Sequence, residues 1–340
     1  MKLIKFNADR VGALQEDDSV IDLNYAYAAY AKGKGVARPQ ALADAKVPSN
    51  LHAFILEGKT GLVEAEKALD YTRKGTVSGP KGEKIKYKPE EVMIHAPLPS
   101  KGNKIAMAGA NFYDHSLDAA KSLRGDTTTT IEDLKKQVAK GEYRAWGFWK
   151  QASCVIDPDS ETPYPSRTQR LDYEVEVAAI IGEDCKDVKE EDAAELIYGY
   201  TILNDLSIRD GGGGQGPDGF FYAKNFEGSA PMGPCIVTAD EVDDVYKLRM
   251  KQWVNGELRQ DGSMESMIRG FDWWLAYLSR DMPFHPGDVI CGGTCSGTAM
   301  DQTPRVNGKT DSKLFLKPGD ELEAWIEGIG SLKTKIVPKQ

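Results

Sequence analysis

The stretch that most restricts the fold runs from Leu171 to Gly182 and reads Leu-Asp-Tyr-Glu-Val-Glu-Val-Ala-Ala-Ile-Ile-Gly. From Val177 to Ile181 it is apolar at every position, the pattern of a strand with both faces covered. A strand has a side-chain period of two, so Glu174 and Glu176 leave the same face. Two carboxylates held that close cost free energy unless something positive sits between them. A second apolar run at 198–203 follows an acidic, helix-like connector at 190–196 and ends in Asp205. Three hard oxygen ligands converging from strand ends suit Mg²⁺, with Mn²⁺ or Ca²⁺ as alternatives. A Glu-x-Glu pair also suits a solvated strand edge. The buried run beside it is what favours a cation.

Upstream, the short apolar strand at 105–108 feeds Gly109-Ala110-Asn111-Phe112-Tyr113-Asp114-His115-Ser116-Leu117-Asp118. A helix starting near Phe112 puts His115 and Asp118 on one face, within reach of each other. A carboxylate beside an imidazole fixes its tautomer and raises its basicity, as a general base requires. On an exposed face the same pair would carry no chemistry. Residues from about 118 to 150 are polar, with a charged helix-like run at 131–140. Low apolar content between two core segments predicts a lid that orders on ligand binding, or else a solvated helical insertion. Lys224 either stabilises negative charge on a substrate oxygen or merely offsets the acidic cluster.

Four blocks taken in order resemble the fumarylacetoacetate hydrolase family. They are Leu-Asp-Tyr-Glu-Val-Glu-Val, Asn204-Asp205-Leu206-Ser207-Ile208-Arg209-Asp210, Lys224-Asn225-Phe226, and Gly287-Asp288-Val289-Ile290-x-Gly-Gly-Thr294. The likeness runs from near Ile105 to the C-terminus. It implies a mixed, β-rich α+β fold, with a hydrolase-like β-roll or barrel domain at 104–340 and a smaller N-terminal accessory domain at 1–97. The Pro/Gly-rich break from Ala96 to Asn103 separates the two. It further implies Glu174, Glu176 and Asp205 as ligands of a divalent metal, usually magnesium, with Lys224 at the same site.

The family pattern Gly-x-Asn-Tyr-x-x-His-x-x-Glu is matched here with Phe112 for Tyr and Asp118 for Glu. This implies a water-activating His115 whose shorter acid would meet it through water. Arg124 stands where some members place an arginine on the substrate carboxylate. Phe148 and Lys150 resemble the family's Phe-x-Lys-x-Ser segment, although the serine falls one place late, at Ser153. Thr294 corresponds to the family's Gly-Thr-Pro, whose hydroxyl and amides hold a substrate carboxylate, with Cys295 in place of the proline. Many members carry a glutamine where this chain has Gly212, and Gln215 can substitute for it.

The N-terminal part reads as short strands at 2–6, 11–14 and 19–23 and helices at 25–31 and 62–72. Further on, a hairpin is expected from 246–258 and 261–267, turning through Asn255-Gly256. A helix at 271–279 and a central strand at 287–291 follow. The 34 glycines favour a turn-rich β architecture.

A net charge of −9 argues against nucleic acid or an anionic membrane as partner. An anionic substrate therefore needs locally placed cations. No run approaches the roughly 20 apolar residues of a membrane span. The N-terminus turns polar too soon for a signal peptide. Five scattered cysteines fit reduced thiols, and a cytoplasmic setting is expected. Gly211 to Gly216 lacks the ending of a phosphate-binding loop and reads as a flexible active-site loop. Gly293-Thr294-Cys295-Ser296-Gly297 fits a nucleophile elbow, but no histidine follows Cys295. Cys291 and Cys295 lack the further soft ligands of a zinc site.

These readings predict a metal-dependent enzyme that hydrolyses a C–C bond in an acylpyruvate or other 1,3-dicarbonyl or 2-oxo acid, in a catabolic pathway such as that of aromatic compounds. Two neighbouring oxygens of the substrate would chelate the metal. The alternatives are an oxaloacetate-type decarboxylase, a hydratase or isomerase of 2-oxo dicarboxylic acids, or a metal-stabilised binding protein without turnover. The resemblance also implies a homodimer.

Overall fold

The computed structural model describes residues 1–75, 77–210, 219–303 and 313–339. At its centre lies the strand Val175–Ile181, buried at all seven positions. It runs antiparallel to Ile197–Asn204 on one side and Val289–Thr294 on the other, and both of these are buried throughout. A strand without a solvated face carries a charge only where a dedicated partner exists, which makes Glu176 conspicuous within it.

Beyond Val289–Thr294 come Ile105–Gly109, parallel to it, and then Trp146–Lys150. Beyond Ile197–Asn204 come Ala230–Thr238, Lys2–Phe6, Arg10–Leu14, Val20–Asp22 and Lys86–Tyr87. The stretch 1–97 thus supplies strands at one end of the same sheet. Two short strands pair beside this path, giving 12 strands among the described residues. The expected mixed, sheet-rich fold is present. The sheet stays open, however, because its end strands Lys86–Tyr87 and Trp146–Lys150 do not pair with each other, so no barrel closes.

The two faces of Val175–Ile181 are divided by parity. Ala178 and Ile180 pack with Ala26, Phe54 and Ala65 from the N-terminal helices Leu23–Gly33, Leu51–Leu56 and Gly58–Thr72. Val175, Val177, Ala179 and Ile181 pack instead with Phe271 and Leu275 of the helix Phe271–Leu278, and with Met250, Ala324 and Ile326. Those last three belong to a second, five-stranded sheet in the order Glu257–Ser263, Arg249–Val254, Glu321–Ile326, Gly330–Val337 and Ser160–Pro163. Its first hairpin turns at Asn255 and Gly256, both with positive φ (52° and 78°), the geometry for which Asn-Gly is selected. The strands are shorter than expected, since flanking residues form single 3₁₀ turns.

The helix expected near Phe112 spans Tyr113–Arg124 and ends on Gly125, whose φ of 69° breaks it. The charged run becomes Ile131–Ala139, capped by the Thr130 hydroxyl on the Asp133 amide. The Gly211 to Gly216 loop and Gln215 lie outside the described residues. No helix among the described residues is long and apolar enough to cross a membrane, and all five cysteines are free thiols.

Candidate functional site

The antiparallel ladder between the two central strands ends at the pair Val175 and Asn204. It resumes as Leu171–Asp172 against Ser207–Ile208. In the gap lie Tyr173 and Glu174 on one strand, and Asp205 and Leu206 on the other. The Asp205 amide donates to the Glu174 carbonyl at 2.8 Å. The Glu174 amide donates to Asn204 Oδ1 at 3.1 Å, and Asn204 is anchored in turn on Gln252. Glu174 therefore sits in a strand break rather than on the strand. The break still brings the acids together: one oxygen each from Glu174, Glu176 and Asp205 lies within 4.8 Å of the others, and all three residues are buried.

Positive groups reach this cluster unevenly. Arg209 donates through Nε to Asp172 Oδ2 at 2.9 Å and through Nη2 to Glu174. Asp172 is fixed from behind by the amides of Ala299 (2.7 Å) and Met300 (3.1 Å). The Lys224 ammonium donates to Glu174 and to Asp205 Oδ2, the latter at 2.6 Å. Lys150 Nζ lies 2.8 Å from Asp205 Oδ1. It donates to the carbonyls of Lys224 and Ser229, so this is a charge contact, and among the described residues Asp205 Oδ1 accepts no hydrogen bond. Glu176 accepts only the Gly293 amide, at 2.9 Å, among the described residues. Gly293 has a φ of 91°, and a Cβ there would crowd the Asn111 side chain and the Ala108 carbonyl.

Charge follows this arrangement. Burial alone would raise the Glu174 carboxyl, but Arg209 and Lys224 outweigh it and hold the group well below the ordinary range. Burial, with Asp205 and Glu174 alongside, pushes Glu176 well above it. Positive charge is thus short at Glu176. A hard divalent cation held by carboxylate oxygens fits that shortfall.

His115 reaches the cluster from the helix Tyr113–Arg124. It is buried, with Nε2 4.0 Å from Glu174 Oε1 and Nδ1 2.8 Å from Asp301 Oδ2. The expected pairing with Asp118 is not the one formed. Asp118 accepts the Ser296 hydroxyl instead. The reason is tertiary: the segment after Thr294 folds back over the helix, and Asp301, braced by the amides of Gly297 and Thr298, takes the inward-turned imidazole. Burial works against the imidazolium, but the charges of Asp301 and Glu174 outweigh it and raise the His115 pKa.

The cluster closes the inner end of a cavity of about 580 Å³. Thr294 lines it, although its hydroxyl already donates to the Val175 carbonyl and accepts from Gln260. Phe148 also lines it, 5.5 Å from the Phe220 ring, and Trp146 packs on Phe220 from 4.6 Å. Arg124 stands on the cavity wall as well. Lys150 does not: it is buried behind Asp205, where it counters charge instead of meeting substrate. Asp172, Arg209 and Asp301 were not singled out from the sequence. The first two sat inside the blocks that carried the resemblance, and an arginine beside a buried acidic strand needs an acid partner. Asp301 has no local signal at all.

A family model described as fumarylacetoacetate (FAA) hydrolase, C-terminal, matches residues 104–337. The mitochondrial oxaloacetate tautomerase FAHD2A of Homo sapiens is 30% identical over 306 residues, covering 90% of this chain and 85% of the relative. The oxaloacetate tautomerase YisK of Bacillus subtilis is 28% identical over 333 residues, covering 97% of each. Among solved structures, a fumarylacetoacetate hydrolase from Exiguobacterium antarcticum matches with a TM-score of 0.68 and 27% identity, covering 100% of both chains.

Proposed function

The chain belongs to the fumarylacetoacetate hydrolase family, and from that premise we propose that it is a divalent-metal-dependent enzyme that interconverts the keto and enol forms of a 2-oxo acid of the oxaloacetate type. The observation that carries this reading is the buried His115–Asp301 pair, with its free ring nitrogen 4.0 Å from the carboxylate cluster. Likeness over at least 90% of this chain to two oxaloacetate tautomerases favours the same substrate type. Glu174, Glu176 and Asp205 would hold the ion, with Mg²⁺ first and Mn²⁺ next because every donor is a hard oxygen. Once bound, it would supply Lewis acidity toward a carbonyl oxygen.

The protein's own groups then have defined tasks. Nδ1–H of His115 donates to Asp301, which leaves Nε2 as the base facing the cluster. Nε2 takes the proton from C3 of the oxo acid and returns it to the C2 oxygen, so the reaction moves one hydrogen and gains or loses no atom. The Lys224 ammonium stabilises negative charge on the substrate oxygens during that transfer. Phe148, Phe220 and Trp146 exclude water from one wall.

A second reading is C–C hydrolysis of an acylpyruvate. The same imidazole can take a proton from a water that attacks the distal carbonyl, and the 580 Å³ cavity has room for an acyl arm. One experiment separates the two. Decay of oxaloacetate enol absorbance is followed with Mg²⁺ or Mn²⁺ and with EDTA, beside pyruvate release from a panel of acylpyruvates. Metal-dependent acceleration of enol decay without pyruvate formation supports the tautomerase. Pyruvate from the acylpyruvates supports hydrolysis, and no turnover on either arm favours a binding protein.

A further inference from the structure

The apolar layer between the two sheets, with Met250, Ala324 and Ile326 in it, is interrupted by two fully buried side-chain amides, Gln252 and Gln260. They stand opposite each other on the paired strands Arg249–Val254 and Glu257–Ser263. A buried amide costs free energy unless its polar atoms find partners. Here they do, and the partners lead to the strand that carries the acids. Gln252 Oε1 accepts from Asn204 at 2.9 Å, and Asn204 Oδ1 in turn takes the Glu174 amide.

Gln260 acts closer to the acids. Its Oε1 accepts the Val175 amide proton at 3.2 Å. Its Nε2 donates to Thr294 Oγ1 and to the Cys295 carbonyl, each at 2.8 Å. A carbonyl only accepts, so the contact with Cys295 fixes which end of the amide faces which way. Thr294 closes the circuit by donating its hydroxyl proton to the Val175 carbonyl at 2.8 Å. Val175, the residue between Glu174 and Glu176, thus has both of its backbone polar groups held by two buried side chains that also bond each other. The next residue along from Thr294, Gly293, gives its amide to Glu176. A closed circuit of this kind stiffens the peptide it surrounds, because no member moves without breaking a bond.

We infer that Gln260, acting through Thr294, is a positioning residue that fixes the spacing of Glu174 and Glu176, and so makes the site select Mg²⁺ over the larger Ca²⁺. The inference rests on the reading of Glu174, Glu176 and Asp205 as metal ligands. Mg²⁺ demands near-octahedral oxygens at about 2.0–2.1 Å, whereas Ca²⁺ accepts looser sets at about 2.3–2.6 Å. Two carboxylates joined by a peptide that cannot move favour the more demanding ion, and the same two freed to spread favour the more tolerant one. Gln260 does not line the cavity, so it acts on the ion only through the strand.

The test is a pair of calorimetric titrations, with Mg²⁺ and with Ca²⁺, on the whole chain after EDTA treatment and dialysis. The proteins compared are the wild type, Gln260→Met, Thr294→Val and Thr294→Ser. Removing a group that supports a metal ligand weakens the ion by roughly 10- to 100-fold. Ca²⁺ tolerates the loosened pair, so the Mg²⁺-to-Ca²⁺ affinity ratio should fall by about 10-fold in Gln260→Met and in Thr294→Val. Thr294→Ser keeps the hydroxyl and should keep the wild-type ratio. An unchanged ratio in Gln260→Met and Thr294→Val, whether both ions weaken equally or neither does, overturns the inference and leaves the metal site standing, since a loss of stability alone moves both ions together. A wild type that binds neither ion removes the metal site and the inference with it. Should Gln260→Met not fold, the two Thr294 variants decide: a ratio lowered by valine and kept by serine sustains the inference, and equal ratios overturn it.

Discussion

At the inner end of the cavity nearly every charged group answers another: Arg209 bridges Asp172 and Glu174, Lys224 bridges Glu174 and Asp205, and Asp301 holds His115. At the outer end Arg124 and Arg144 line the same space with no hydrogen-bond or ion-pair partner among the described residues, on a wall formed partly by the polar stretch 118–150. The inner groups are buried, and burial forces pairing because an unpaired charge there is expensive. The outer groups are exposed, so water can solvate them until a ligand arrives. The contrast teaches a division of labour. The inner end is a paired cluster held in one geometry, and the outer end is a solvated wall.

Mutations that disturb the inner end should have the largest effects. Replacing the base, His115→Ala, should lower kcat by roughly 10²- to 10⁴-fold with little change in metal affinity; unchanged turnover would remove His115 from the reaction. Asp205→Asn should weaken Mg²⁺ binding by roughly 100-fold or more, read by calorimetry. Equal Mg²⁺ affinity in that variant would place the ion elsewhere. Lys150→Ala should cost about 3–5 kcal/mol in urea unfolding, since it strips a fully buried carboxylate of a counter-charge. A loss of affinity for substrate without loss of stability would return Lys150 to the substrate-binding role expected from the sequence.

A subtler comparison sets Asp301 against Asp118. Asp301 raises the His115 pKa, so Asp301→Asn lowers it, and the base form then exists at lower pH. The acid limb of the kcat profile should move to lower pH accordingly. Asp118→Asn should leave that limb in place and cost about 1 kcal/mol of stability through its lost Ser296 contact. The opposite outcome would restore Asp118 as the partner.

Much of the inner end was legible in advance. The run Val175–Ile181 could only be a covered strand, and Glu176 within it demanded a partner. Asn255-Gly256 announced its own hairpin through the positive φ that both residues adopt. The N-terminal helices Pro39–Lys46 and Leu51–Leu56 were less legible, being short and weakly patterned. The distinction between Lys150 and Lys224 was not legible at all, since each is one lysine near one short motif. Only packing sends the first behind Asp205 and the second between Asp205 and Glu174.

By itself the sequence determined that buried strands here carry acids, because apolar runs must be covered and charges among them must be answered. It also determined where the chain turns, because φ preferences are local. What answers those charges was decided by the tertiary structure alone. The break between Val175 and Leu171 turns Glu174 toward Glu176, and the fold-back after Thr294 delivers Asp301 to an imidazole 186 positions away. Pairing of that kind depends on distance in space and on the cost of desolvation, and neither is written into the spacing of residues along a chain.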